Sequence, residues 1–145
     1  MIKKLLYVLL LISVMTGIAY AAGSVTETIT WIPGQNVKQV KYHWVADGTG
    51  EPPAYTAMSP LNGYIRRFSF DPGTTAPTAG YNVYLMAVDG QDEFGGDGTS
   101  LSATATQVTI PTTNYYSGGA VGFSLVGNTD VDATGDVYIY VDVPR

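Results

Sequence analysis

The sequence predicts an all-β fold: a single antiparallel β-sandwich, Ig-like or jelly-roll-like, preceded by an N-terminal hydrophobic signal or anchor helix. Three observations predict it. Alternating apolar and polar residues recur along the chain, most cleanly where Val40, Tyr42, Trp44 and Ala46 interleave with Gln39, Lys41 and His43. Glycine, proline, asparagine and aspartate gather between these segments, where turns need them. Beyond the first 22 residues no segment carries the apolar spacing of a helix.

The chain has 145 residues, which suits one domain once its start is set aside. Residues 1–22 read as a signal peptide or N-terminal membrane anchor, and residues 23–145 as the β-sandwich domain. Met1-Ile2-Lys3-Lys4 is basic, Leu5 to Met15 is almost wholly apolar, and Ala19-Tyr20-Ala21 has the small-x-small form of a cleavage site. Cleavage near Ala22 or Gly23 is the preferred reading. A retained anchor is the alternative, because no charge occurs between Leu5 and Ala22, and it would give membrane contact through residues 5–22. Either way the domain is expected outside the cytoplasm, secreted, periplasmic or at a surface, with Lys3 and Lys4 on the inner side of an anchored form.

Ser24 to Trp31 alternates threonine with mixed residues and reads as an edge strand ending at Ile32-Pro33-Gly34. Asn36 to Ala46 is the amphipathic strand already described. Asp47 to Asn62, with two glycines and three prolines, reads as a long loop that exposes Tyr55 and Met58 unless they fold back. Gly63 to Phe70 is a strand whose strict alternation puts Tyr64, Arg66, Phe68 and Phe70 on one face and Ile65, Arg67 and Ser69 on the other. Tyr81 to Val88, apolar on both faces, is expected to be the central strand. It runs into the loop Asp89 to Gly98, after which Ala103 to Ile110 returns as a strand. Thr112 to Gly119 is a loop with Tyr115 and Tyr116. Ala120 to Val126 and Asp136 to Val143 alternate again, and point Val121, Phe123, Leu125, Val137, Ile139, Val141 and Val143 inward. The expected core includes Trp44, Phe68, Val83, Leu85, Phe123, Leu125, Val137 and Ile139.

The absence of cysteine excludes disulfides, thiol nucleophiles and cysteine metal sites. Seven basic residues against twelve acidic ones give a net charge of −5, and near −7 for the part beyond Lys3 and Lys4, a surface that repels nucleic acid. His43 is the single histidine, and no serine sits in a nucleophile frame, so the expectation is that the protein is not an enzyme. Calcium is the cofactor worth considering. Asp89, Asp92, Glu93 and Asp97 crowd one loop and Asp130, Asp132 and Asp136 another, supplying the oxygen donors a hard cation takes, although neither run has the spacing of a helix-loop-helix calcium site. The candidate metal ligands are therefore Asp89, Asp92, Asp97, Asp130 and Asp132, set against the simpler role of capping turns. Tyr55, Tyr115 and Tyr116 are the candidate binding surface, since loop tyrosines stack on sugars or on protein partners.

Several features in series resemble a family of small bacteriophage proteins found among virion structural genes. They are Val37-Lys38-Gln39-Val40-Lys41-Tyr42 with Trp44, then Gly63-Tyr64-Ile65 with Arg67, then Ala76-Pro77-Thr78 and Tyr81-Asn82-Val83. Asp89-Gly90-x-Asp92 with Gly95-Gly96-x-Gly98 follows, then Leu101 to Val108, Gly127-Asn128 and Gly135-Asp136-Val137-Tyr138-Ile139-Tyr140. The resemblance spans residues 25 to 143 and implies a noncatalytic virion structural or surface protein, with other coat proteins as partners and a homo-oligomeric state. It supplies no active-site residues. The family's members begin at the first strand, so the apolar start of this chain suits a virion with an internal membrane, a protein shown on the host envelope, or a copy that the cell exports. The alternative function, from the loop tyrosines and acidic loops, is an exported carbohydrate- or surface-binding module.

Overall fold

Nine strands make up two antiparallel sheets in a computed structural model that describes residues 22–52, 56–112 and 116–144. They are β1 (Ser24–Trp31), β2 (Val37–Val45), β3 (Thr56–Met58), β4 (Gly63–Pro72), β5 (Asn82–Ala87), β6 (Gln107–Thr109), β7 (Tyr116–Ser117), β8 (Val121–Val126) and β9 (Thr134–Asp142). The larger sheet has the order β1-β2-β9-β4-β6, with β7 added to the start of β4; the smaller has the order β3-β8-β5. Among the described residues there is no helix long and apolar enough to cross a membrane. Residues 1–21, where the signal or anchor is expected, lie outside the described residues.

The alternation of β2 holds as read: Val40, Tyr42, Trp44 and Ala46 are buried and Gln39, Lys41 and His43 are half-exposed. β9 behaves likewise, burying Val137, Ile139 and Val141. These side chains meet Val83, Leu85, Phe123 and Leu125 of the smaller sheet in one apolar cluster. Tyr42 packs on Phe123 with ring centres 5.8 Å apart, and Trp44 on Tyr81 at the same distance. Trp44, Phe68, Val83, Leu85, Phe123, Leu125, Val137 and Ile139, the expected core, are all buried there, whereas Val143, also expected inward, is half-exposed. Trp44 fits because its partner across β9 is Gly135: a Cβ on that glycine would lie 2.5 Å from the indole.

Four expectations need correction. The central strand of the larger sheet is β9, and that of the smaller is β8; Tyr81–Val88 contributes β5, which is an edge. Its second face reads as covered because Tyr84 and Met86 are half-buried, while its free edge is closed by its own downstream loop. Leu101 N–H donates to Tyr81 O (2.9 Å), Val83 N–H to Gly98 O (2.8 Å), Leu85 N–H to Asp92 Oδ1 (3.2 Å) and Ala87 N–H to Gln91 O (2.8 Å), while Glu93 N–H donates to Leu85 O (2.7 Å). The glycine-rich loop therefore covers a sheet edge that would otherwise recruit a strand. Phe94 anchors it, fully buried edge-on against Phe68 (4.7 Å) and Phe70 (5.2 Å).

Second, Ala103 to Thr106 is not strand. The Ser102 hydroxyl accepts the N–H groups of Thr104 (3.2 Å) and Ala105 (3.1 Å), a local turn that competes with the ladder and leaves β6 three residues long. Third, the two long loops contain the short strands β3 and β7. Fourth, the strict alternation of β4 fails at Arg66. Ile65 faces Val141 and Arg67 faces Tyr140, so Arg66 is the extra residue of a β-bulge. Ile65, Phe68 and Phe70 all point into the core, and Tyr64 and Arg66 are exposed.

Candidate functional site

Of the tyrosines singled out in the sequence, Tyr55 and Tyr115 lie outside the described residues. Tyr116 is 52% exposed on β7 and meets Tyr64 edge-to-face at 5.3 Å. The acidic residues do different work. Asp92 accepts three backbone N–H groups, from Leu85 and Phe94 through Oδ1 and from Gly96 through Oδ2, and so holds the loop against β5. Asp89 caps Gln91 N–H, Asp130 accepts the Thr78 hydroxyl at 2.8 Å, and Asp97 and Asp132 are exposed. Among the described residues no three His, Asp or Glu side chains gather as a metal cage. Glu93 reaches the Ser117 hydroxyl at 3.1 Å; burial pushes its carboxyl above the usual range, the Ser117 bond opposing and the Asp89 and Asp92 charges adding.

The structure brings a different set together, on the outer face of the larger sheet. β9 alternates, so Asp136, Tyr138, Tyr140 and Asp142 stand opposite the buried Val137, Ile139 and Val141. Across β2, the register sets His43 beside Asp136, Lys41 beside Tyr138 and Gln39 beside Tyr140. Lys41 Nζ lies 2.9 Å and His43 Nδ1 2.8 Å from the Asp136 carboxylate. Burial alone would raise the Asp136 carboxyl, but these two hydrogen bonds outweigh it and hold it below the ordinary value; the same carboxylate raises Lys41.

At the other end of this row Gln39 Nε2 donates to Tyr140 Oη at 2.6 Å, and the Arg67 guanidinium stacks 3.9 Å from the Tyr140 ring centre. The bulge places Arg66 directly next to Arg67 on the same side, a pairing a regular strand forbids, and Arg66 forms an ion pair with Asp142. Two adjoining grooves open here. One, of about 280 Å³, has Tyr140 and Arg67 in its wall with Ile32, Val37 and Ile110. The other, of about 440 Å³, runs past Asn36, Asp142 and Pro144 to Tyr64, and Gln35, Val37 and Arg66 belong to both.

This arrangement offers ring and aliphatic surface beside amide, guanidinium and carboxylate groups, which suits a ligand that is apolar on its faces and polar at its rim. The His43 ring is bonded to Asp136, and among the described residues no hydroxyl is bonded to that ring. The signal for the site was present in the strand pattern. Once Val137, Ile139 and Val141 are assigned inward, Tyr138 and Tyr140 must stand on the outer face, opposite the polar side of β2. Arg67 follows in the same way from alternation with Phe68 and Phe70, but the bulge, which turns Arg66 outward beside it, has no such signature.

No family model matches the chain, and no curated protein matches it in sequence. Among solved structures it is similar to a low-affinity xylan-binding module from the xylanolytic gut symbiont Roseburia intestinalis, with a TM-score of 0.33 and 15% identity over 86% of this chain and 88% of that one.

Proposed function

We propose that this chain is an exported, noncatalytic β-sandwich module that binds an extended, hydroxyl-rich polymer, a polysaccharide, in the groove over Tyr140. One observation carries the reading: the bulge at Arg66 sets two consecutive arginines around a tyrosine held by Gln39, at the junction of two open grooves. A sugar ring has C–H faces that match an aromatic surface and hydroxyls that match amide and guanidinium donors. An open groove takes an internal stretch of a chain rather than its end. The ligand is neutral. Arg66 is already paired with Asp142, Arg67 is stacked on the ring, and the protein's net charge of −5 disfavours polyanions.

Export follows from the signal expected in residues 1–22, which would place the module among extracellular polymers. Co-sedimentation with a panel of insoluble neutral and acidic polysaccharides tests the reading. Depletion of the protein by a neutral polymer supports it, and depletion by none of the neutral polymers rejects it.

A virion structural role is the second reading, and the long edge of β1, unpaired among the described residues, favours it, because such edges join one chain to another. Its partners would be coat proteins or copies of itself. Portal, capsid or tail genes beside its own, and its presence in purified particles, separate it from the first.

A further inference from the structure

The edges of the two sheets are treated unequally. β5 is sealed by its own loop, and β3 and β6 are three residues long. β1 runs eight residues along the outside of the larger sheet with no proline, lysine or bulge, and among the described residues nothing pairs with its free side. Its core-facing row is Val25, Glu27, Ile29 and Trp31, standing across from Trp44, Tyr42, Val40 and Lys38. The smaller sheet is too narrow to cover this row, leaving Ile29 42% and Trp31 57% exposed. Its outer row is Thr26, Thr28 and Thr30.

We propose that β1 pairs with β1 of a second copy, joining the two larger sheets into one across a two-fold axis at Thr28. The sequence is self-complementary for this and for few other arrangements. A two-fold axis perpendicular to the sheet keeps both core-facing rows on one side, so it pairs residues whose numbers sum to an even value; odd sums flip one copy and give an open, non-closing contact. Pairing about Glu27 would oppose two carboxylates. Pairing about Thr28 sets Glu27 against Ile29, Val25 against Trp31 and Thr26 against Thr30 of the second copy. The exposed tryptophan gains an apolar neighbour, and the outer face gains threonine pairs, which favour each other across antiparallel strands. The one charge on the edge, Glu27, accepts the Ser59 N–H of its own copy through Oε2 at 3.2 Å, while among the described residues its Oε1 has no hydrogen-bond partner.

A strand edge alone buries less than the ~1,200–2,000 Å² of a standard interface, so the dimer forms and dissociates with concentration. This inference is independent of what the Tyr140 groove holds.

The chain lacks cysteine, so a single introduced thiol reports its own contacts. In the full chain, Thr28→Cys should oxidise to a covalent dimer of doubled mass, because residue 28 faces itself at a spacing a disulfide spans. Thr26→Cys and Thr30→Cys should cross-link when mixed and not singly. Thr104→Cys, on an exposed bend, gives the rate of random collision. Wild-type protein should show a sedimentation coefficient that rises with concentration. A monomer at every concentration, including one whose edge is covered by its own residues 1–21, overturns the proposal. So does a Thr28→Cys dimer that forms no faster than that of Thr104→Cys.

Discussion

The Arg67 guanidinium lies 3.9 Å from the centre of the Tyr140 ring, and its neighbour Arg66, which strict alternation would aim at the core with Phe68 and Phe70, is exposed beside it. Arg67 stands opposite Tyr140 in the register that runs on from Phe68–Ile139 to Pro72–Gly135, and the strand gains a residue just before it, at Arg66. The extra residue puts Ile65 in the core beside Phe68 and Phe70 and turns Arg66 outward, so one irregularity serves packing and the groove together.

Phe94 is expected to be the strongest single support of the glycine-rich loop. Phe94→Ala removes a fully buried ring that touches Phe68 and Phe70, and should cost about 3–5 kcal/mol in urea denaturation. Gly98→Ala should act on the same edge, since a Cβ there collides with the carbonyl oxygen of Val83 and lies 3.3 Å from the Phe94 ring. Its expected signature is faster amide exchange at Val83 and concentration-dependent aggregation through the opened β5 edge.

Gly135→Ala should destabilise although alanine is small. The added methyl group would lie 2.5 Å from the buried Trp44 indole, and crowding of that kind costs about 1–3 kcal/mol. Urea denaturation of Gly135→Ala alone, and combined with Trp44→Phe, checks the cause: the smaller ring should recover part of the loss, and two additive penalties would contradict it.

Glu93 should make stability fall with rising pH. Its carboxyl is raised above the ordinary value of 4.5 by burial, so its contribution is complete below that value and is lost as pH rises through the raised one. Asp136 acts in the opposite sense. Its carboxyl is lowered, so its contribution is present above the ordinary value of 3.8 and lost as pH falls through the lowered one. Glu93→Gln keeps an acceptor for the Ser117 hydroxyl and removes the charge. The unfolding free energy of wild type minus that of Glu93→Gln, measured from pH 3 to pH 8, cancels the Asp136 contribution. It should decline above pH 4.5; a difference that grows with pH would contradict the burial of Glu93.

Much of the fold could be read from the chain because alternation is a local signal. β2, β8 and β9 each present one apolar face, and Trp44, Phe123 and Ile139 are buried as the pattern requires. The order of strands in the sheets was not legible, since it depends on which edges meet over long separations. Tyr81–Val88 looked central because its residues are apolar, whereas its edge is closed by bonds to a loop that reads as mere turn. Phe94 was missed for the same reason, as one aromatic residue among glycines and acids. At the site, Tyr138 and Tyr140 follow from the pattern of β9 and Arg67 from alternation with Phe68 and Phe70, but the outward turn of Arg66 depends on a bulge that no residue type announces. Asp92 reads in the sequence as one carboxylate among several, and its hold on the loop through three backbone N–H groups is visible only in the fold.

Affinity electrophoresis of wild type, Tyr140→Ala and Trp31→Ala through gels containing soluble neutral polysaccharides tests the central claim most directly. Trp31 is the more exposed aromatic residue but lies on the core-facing row of β1, away from the groove. The account predicts that a neutral polysaccharide retards the wild type, that Trp31→Ala is retarded equally, and that Tyr140→Ala, still folded by circular dichroism, runs unretarded. Equal retardation of Tyr140→Ala and wild type, or no retardation of the wild type by any neutral polysaccharide, would contradict it.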